Sequence, residues 1–131
     1  MVVISERRGD GFCSSVKGMA VCPEGAVFAT CGGCGHVEIW DAATGTSIQT
    51  VDAHDSEVRA VAWSPDGKLL ATASADNTAK LCDAQMDATR ALLRGHTKDV
   101  WCVAWSPNGQ IVCTASADRT ARVWDLSLIH I

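Results

Sequence analysis

Tyrosine is absent from the chain, phenylalanine occurs twice and proline three times, so five tryptophans carry nearly all of its aromatic surface. An excess of charge of either sign is also missing. The formal charge is only −4, which argues against a nucleic-acid surface, and 47% apolar with 20% charged residues excludes a disordered chain. No stretch approaches the ~20 consecutive apolar residues of a membrane-spanning helix. The start, Met1-Val2-Val3-Ile4 followed by Glu6, Arg7, Arg8 and Asp10, lacks the charge-then-apolar order of a secretory signal, so a cytosolic or nuclear setting is expected. Cysteine is the exception to this scarcity. Its seven copies form an odd number set mostly in apolar or small-residue patterns, as expected of reduced, buried thiols that need no disulfide.

What the chain does have is a period of 42 residues without a gap. His54 recurs as His96, Trp63-Ser64-Pro65-Asp66-Gly67 as Trp105-Ser106-Pro107-Asn108-Gly109, and Thr72-Ala73-Ser74-Ala75-Asp76 as Thr114-Ala115-Ser116-Ala117-Asp118. Between 54–83 and 96–125, 16 of 30 positions are identical. A worn earlier copy pairs Pro23 and Gly25 with Pro65 and Gly67, Thr30 with Thr72, and Ile39-Trp40-Asp41 with Leu81-Cys82-Asp83. Such a period marks a repeat architecture whose units bury their apolar faces only against one another.

Within a unit the pattern predicts four short strands. Val58–Trp63 is an apolar, β-branched run that stops at Ser64-Pro65-Asp66-Gly67, where proline pre-sets φ and glycine supplies a left-handed residue. Leu69 to Ser74 forms the next strand, Asp76-Asn77 turns it, Thr78 to Asp83 returns antiparallel, and a fourth strand lies around Ala91-Leu92-Leu93. Four antiparallel strands per ~40–45 residues, with Gly95-His96 at one end and Trp124-Asp125 near the other, resemble the WD40 β-propeller family. The expected fold is therefore all-β, about three four-stranded blades in an incomplete ring. Residues 1–11 would be a lead-in or outer strand, 12–53 a degenerate first repeat, 54–95 the second, and 96–131 a third whose fourth strand is missing or divergent.

The resemblance implies a pinning network in each blade, made of a histidine, a threonine, an aspartate and the tryptophan of Trp-Asp. The third copy has the full set, His96, Thr114, Asp118 and Trp124. The second has His54, Thr72 and Asp76, with Cys82 in place of the indole. The first keeps Thr30 and Trp40, while Phe12 and Cys34 replace His and Asp, and a stability gradient that is lowest at the first blade follows. A hairpin centred on Asn77 would set Thr72 opposite Cys82, and one centred on Arg119 would set Thr114 opposite Trp124. A rival reading casts His96, Asp118 and Thr114 or Ser116 as base, orienter and nucleophile. It is disfavoured, because the group recurs and no Gly-x-Ser-x-Gly elbow accompanies it.

Cys31-Gly32-Gly33-Cys34-Gly35-His36 offers a second chemical candidate, a metal or redox site built on Cys31, Cys34 and His36. Zinc needs four ligands and a reactive pair needs an electropositive helix end, and neither context is present, so plain strand-and-turn roles are favoured and no cofactor is expected. Binding is better motivated. In proteins of the family, partners dock on the upper face of the ring, and the corresponding positions here are Glu57, Arg59 and Ala75, then Asp99, Trp101 and Ala117, with Ser15, Lys17 and Gly33 in the first copy. Trp101 stands out, because aromatic residues and arginine are enriched among interface hot spots. Members that serve cullin-type ligases often carry arginine two places after Trp-Asp. Ala43, Gln85 and Ser127 stand there, which disfavours that role.

The expected function is a non-catalytic protein–protein interaction scaffold for other proteins or peptides. Closing a propeller takes roughly four to eight blades. Three blades thus predict either a fragment of a larger ring or a short protein that completes a ring by self-association. In the same ring, Met1-Val2-Val3-Ile4 would be a candidate to pair as the missing strand, and Leu126 to Ile131 would be a divergent outer strand or sequence foreign to the repeat.

Overall fold

Short runs of β-branched and apolar residues separated by Pro-Asp-Gly and Asp-Asn turns leave little choice but antiparallel hairpins. The computed structural model describes residues 16–83 and 89–128, and in it those runs become eleven strands. The first sheet holds β1 (Val16–Val21), β2 (Val27–Gly32), β3 (His36–Asp41) and β4 (Ser47–Asp52) in that order. The second holds β5 (Val58–Trp63), β6 (Leu69–Ser74), β7 (Ala79–Asp83) and β8 (Thr89–Leu93). The third has three strands among the described residues, β9 (Val100–Trp105), β10 (Ile111–Ser116) and β11 (Ala121–Asp125). Leu126–Leu128 is a 3-10 turn, so the reading of a divergent outer strand does not hold over those three residues. Residues 129–131 and the N-terminal strand candidate lie outside the described residues.

Two turns recur in every blade and explain the repeat's turn chemistry. The β5–β6 turn is braced by Ser64 Oγ donating to Asp66 Oδ1 at 2.6 Å, and the same carboxylate accepts the Lys68 amide at 2.9 Å. In the β9–β10 turn, Asn108 replaces Asp66 and makes the same pair of bonds, at 2.7 and 3.0 Å. An uncharged acceptor therefore serves as well as an acid there. The second turn needs one left-handed residue, and Gly35, Asn77 and Arg119 fill it with φ of 78°, 75° and 74°. The earlier expectation of hairpins centred on Asn77 and Arg119 is corrected by this conformation. The left-handed residue closes a three-residue loop centred on Asp76 or Asp118, and the ladder pairs Thr72 with Lys80, Leu70 with Cys82, Thr114 with Arg122 and Val112 with Trp124. Moving the centre by one residue moves each partner by two, so Thr114 and Trp124 are diagonal neighbours rather than opposite ones.

The core forms two slabs between blades. Against the first blade's Cys22, Ala29, Val37 and Ile39, the second presents Val58, Val61, Trp63 and Leu70. Its other face, with Ala71, Ala73, Ala79, Leu81 and Leu93, meets Val100, Val103 and Val112 of the third. Fully burying side chains such as Leu70, Leu81 and Val112 contributes about 1.5–3 kcal/mol each, and the burial is shared between sheets rather than held within one. Each slab is also bridged by an indole. Trp63 Nε1 donates to the Ala20 carbonyl and Trp105 Nε1 to the Ala62 carbonyl, both at 3.0 Å.

Gly35 marks the least tolerant turn. A Cβ there would lie 2.3 Å from the His54 carbonyl oxygen, a backbone atom that has no room to move aside. Gly35→Ala should therefore destabilise the chain by more than the roughly 1–2 kcal/mol of the left-handed conformation alone. Asn77→Gly, at the same position of the next blade, should change it far less. Denaturant midpoints of the two variants against the parent check this, and equal midpoints would contradict it.

Candidate functional site

In the third blade the four polar residues form one directed chain. Trp124 Nε1 donates to Thr114 Oγ1 at 2.9 Å, His96 Nε2 lies 2.7 Å from the same hydroxyl, and His96 Nδ1 lies 2.8 Å from Asp118 Oδ2. The aspartate can only accept, so Nδ1 carries the proton, and Nε2 is then free to accept from the threonine hydroxyl. The second blade repeats the arrangement. His54 Nε2 is 2.7 Å from Thr72 Oγ1 and Nδ1 is 2.9 Å from Asp76 Oδ2, while Cys82 provides no indole. In the first blade the indole half alone is seen, Trp40 Nε1 to Thr30 Oγ1 at 2.9 Å, with Phe28 stacked on Trp40 at 6.3 Å. Phe12 lies outside the described residues. The basic side chain that follows each complete turn is also tied down. Arg122 Nη2 donates to the Gly95 carbonyl at 2.9 Å, and Lys80 Nζ to that of Ala53. Sequence reasoning passed over these two, although the recurrence of a cation at equivalent positions was a usable signal.

Burial sets the protonation of these groups. Desolvation pushes the His54 pKa below its ordinary 6.5, outweighing the opposing pull of Asp76. Burial works against ionised Asp76, but bonds from Thr78 and His54 overcome it and hold the carboxyl below 3.8. Asp118 is likewise held well below its usual range by the Thr120 hydroxyl, with His96 and the Thr120 and Thr97 amides assisting. Burial pushes the Cys82 thiol up, away from reactivity. Thr72 and Thr114 are 0% and 1% exposed, so neither hydroxyl is accessible to a substrate. Both histidines are committed on both ring nitrogens. As a catalytic trio His96, Asp118 and Thr114 has no access and no spare valence. Ser116 Oγ is spent on the Lys98 carbonyl at 2.9 Å.

The cysteines depart from expectation. Cys34 is in a disulfide, which corrects the reading of uniformly reduced thiols. It stands in a half-buried turn, where the other blades have Asp76 and Asp118. Cys22 and Cys82 are buried as expected, whereas Cys102 and Cys113 are exposed. Cys31 is fully buried on β2, and His36 turns its Nε2 to Asp52. Among the described residues, no group of three or more His, Cys, Asp and Glu side chains could hold a metal ion.

On the upper edge the blades are joined by charge. Lys17 of the first blade lies 4.0 Å from Glu57 of the second, Arg59 Nη1 lies 3.3 Å from the same Glu57, and Arg59 Nη2 reaches Asp99 of the third at 2.9 Å. Sequence reasoning named these positions without seeing that they pair across blades. With the Arg59 and Asp99 side chains each 35% exposed, such a link contributes about 0–1 kcal/mol and serves mainly to orient side chains. Trp101 occupies the place of Lys17 and Arg59 on the third blade and is 55% exposed. Lys17, Arg59 and Trp101 line a cavity of about 280 Å³. The Ala75 and Ala117 amides donate to the Glu57 and Asp99 carbonyls, both at 2.9 Å. Ser15 lies outside the described residues.

Radially ordered four-stranded sheets with a His-Thr-Asp pin are the parts of a β-propeller. Two solved structures share the fold, one of U3-55K (TM-score 0.84) and one of the WD40 repeats of RRP9 (TM-score 0.83). Each is 21% identical to this chain, and each match covers 88% of this chain but 37% of the other. This chain thus spans little more than a third of either. The family model of the WD domain, G-beta repeat matches residues 5–41, 45–83 and 88–125, and the chain belongs to the WD40 repeat family. No curated protein matches it.

Two consequences are measurable. Thr114→Val severs two hydrogen bonds and Thr72→Val one, so both should destabilise, the first by more, within about 1–3 kcal/mol for each partner left buried and unpaired; equal losses in urea melts would contradict the directed chain. The pH dependence follows from the depressed pKa values. The unfolded chain takes up protons first, at histidine below 6.5 and at aspartate below 3.8, so stability falls as pH is lowered through each window. Melting temperatures should drop below about pH 6.5, and His54→Gln should remove part of that first decline.

Proposed function

We propose that the chain is a non-catalytic protein–protein interaction scaffold that engages proteins or peptides through its upper edge. WD40 repeats are typical of such scaffolds. The observation that carries the reading is the convergence of Lys17, Glu57, Arg59, Asp99 and Trp101 from three successive blades on one edge. Interlocked ion pairs hold Arg59 in place, so little side-chain entropy is left to lose on binding. Beside it the exposed indole offers rigid apolar area with a hydrogen-bond donor, the combination that anchors interface hot spots. A net charge of −4 fits protein partners better than nucleic acid. No described helix is long and apolar enough to cross a membrane. The reading includes a cytosolic or nuclear setting.

Selection of binders from a random peptide library displayed on phage tests the site. Peptides selected on the parent chain should lose at least about tenfold in affinity against Trp101→Ala, the level of a hot-spot truncation, and should weaken against Asp99→Ala. They should keep their affinity for Glu24→Ala, at the opposite end of the first blade. Binders that ignore both upper-edge substitutions would refute the assignment of this edge.

A further inference from the structure

The chain has two asparagines, Asn77 and Asn108, and only Asn108 is followed by glycine. An asparagine side chain loses ammonia when the amide nitrogen of the next residue attacks its Cγ, and a glycine there, lacking a Cβ, leaves the approach open. Asn77 is followed instead by the β-branched Thr78, and its Nδ2 is held by the Thr97 carbonyl at 3.3 Å. Asn108 is exposed in the β9–β10 turn. Asp66 occupies the same position in a blade covered on both sides and is exposed as well, so the exposure belongs to the turn. The second blade also displays what hydrolysis of Asn108 would create. Bonds from the Ser64 hydroxyl and the Lys68 amide hold the Asp66 carboxyl below its ordinary 3.8, so this turn favours an ionised acid.

We propose that Asn108 is a site of deamidation by water, that opening of its turn sets the rate, and that the blade accepts the aspartate formed without rearrangement. In the closed turn the Gly109 amide donates to the Ser106 carbonyl at 3.0 Å, while Asn108 Oδ1 is tied to Ser106 Oγ and the Gln110 amide. Nucleophile and carbon are both withheld. A surface turn with exposed hydrogen bonds opens at far less cost than the fold as a whole. Once it opens, the Gly109 nitrogen bonds to Cγ, its proton leaves with the departing ammonia, and a cyclic imide remains. Water then opens the imide, at the side-chain carbonyl to give aspartate or at the main-chain carbonyl to give isoaspartate. Aspartate restores the acceptor of both bonds and strengthens them by its charge. Isoaspartate instead lengthens the main chain within the turn. The reaction adds one negative charge to the formal −4, and Glu24, Asp66 and residue 108, one at the same turn of each blade, become a row of three carboxylates. That row lies at the opposite end of the blades from the upper edge, so this inference stands apart from the binding reading.

Incubation of the whole chain in mildly alkaline buffer, followed by mass mapping of the tryptic peptide Asp99–Arg119, tests it. The mass gain of an amide-to-acid change should appear at Asn108 and not at Asn77, and more slowly than in a synthetic peptide of the same sequence. Ser106→Ala removes the side-chain tether and should speed the reaction roughly two- to tenfold, the equivalent of one hydrogen bond. Asn108→Asp should keep the circular-dichroism spectrum of the parent, melt no lower and show no further gain. A folded chain that stays unmodified while the peptide converts would overturn the proposal, as would equal rates in chain and peptide. So would a folded Ser106→Ala variant that reacts no faster, or an Asn108→Asp variant that melts below the parent.

Discussion

A sheet with apolar side chains on both faces is stable in water only when something covers each face, and this chain meets that requirement with other sheets. The second blade shows the condition fulfilled. Val61 and Trp63 are shielded by the first blade and Leu81 and Ala79 by the third, and among the described residues no helix takes part. Stability is accordingly a property of the slabs between blades, as in other repeat proteins. Deleting a side chain from a slab weakens two units together.

Apolar slabs alone do not fix how strands slide, since alanine-rich faces fit nearly as well after a shift. The buried polar chain supplies that specificity. Trp124, Thr114, His96 and Asp118 lie on different strands and loops of one blade and satisfy one another only in the observed register. The second blade keeps the histidine half and the first the indole half. Each partial set still ties together two segments of its blade. In the second blade Cys82, in the place of the indole, enters the apolar slab, and in the first Phe28 stacks on Trp40.

Much of this was legible from residues alone, because repetition turns one chain into its own comparison. Val58–Trp63 and Leu69–Ser74 begin and end as the turn chemistry predicted. The contact partners of His54 and His96 were legible only through the resemblance to the family, and in both blades the histidine reaches a threonine 18 residues and an aspartate 22 residues away. The hairpin register did not follow. It depends on which turn residue adopts positive φ, and Asn77 and Arg119 do so without being glycine. The ladder from Lys17 to Asp99 was hidden for a different reason, as it runs sideways between sheets and needs their relative height. Cys34 illustrates a third limit. Its repeat position suggested a degenerate turn acid, whereas it is in a disulfide, which a repeat position cannot reveal.

The indole bridges carry a consequence for how the chain is made. Each donor lies 43 residues after its acceptor, Trp63 after Ala20 and Trp105 after Ala62. At a synthesis rate of about 5–20 residues per second, the acceptor carbonyl waits some 2–9 s for its donor to be added. Hairpins inside a blade form in microseconds once their strands are free, so folding within a sheet is fast against these intervals. The blades are therefore joined in the order of translation, and during each interval the newest sheet has one face bare, the stage at which a holding chaperone has something to hold.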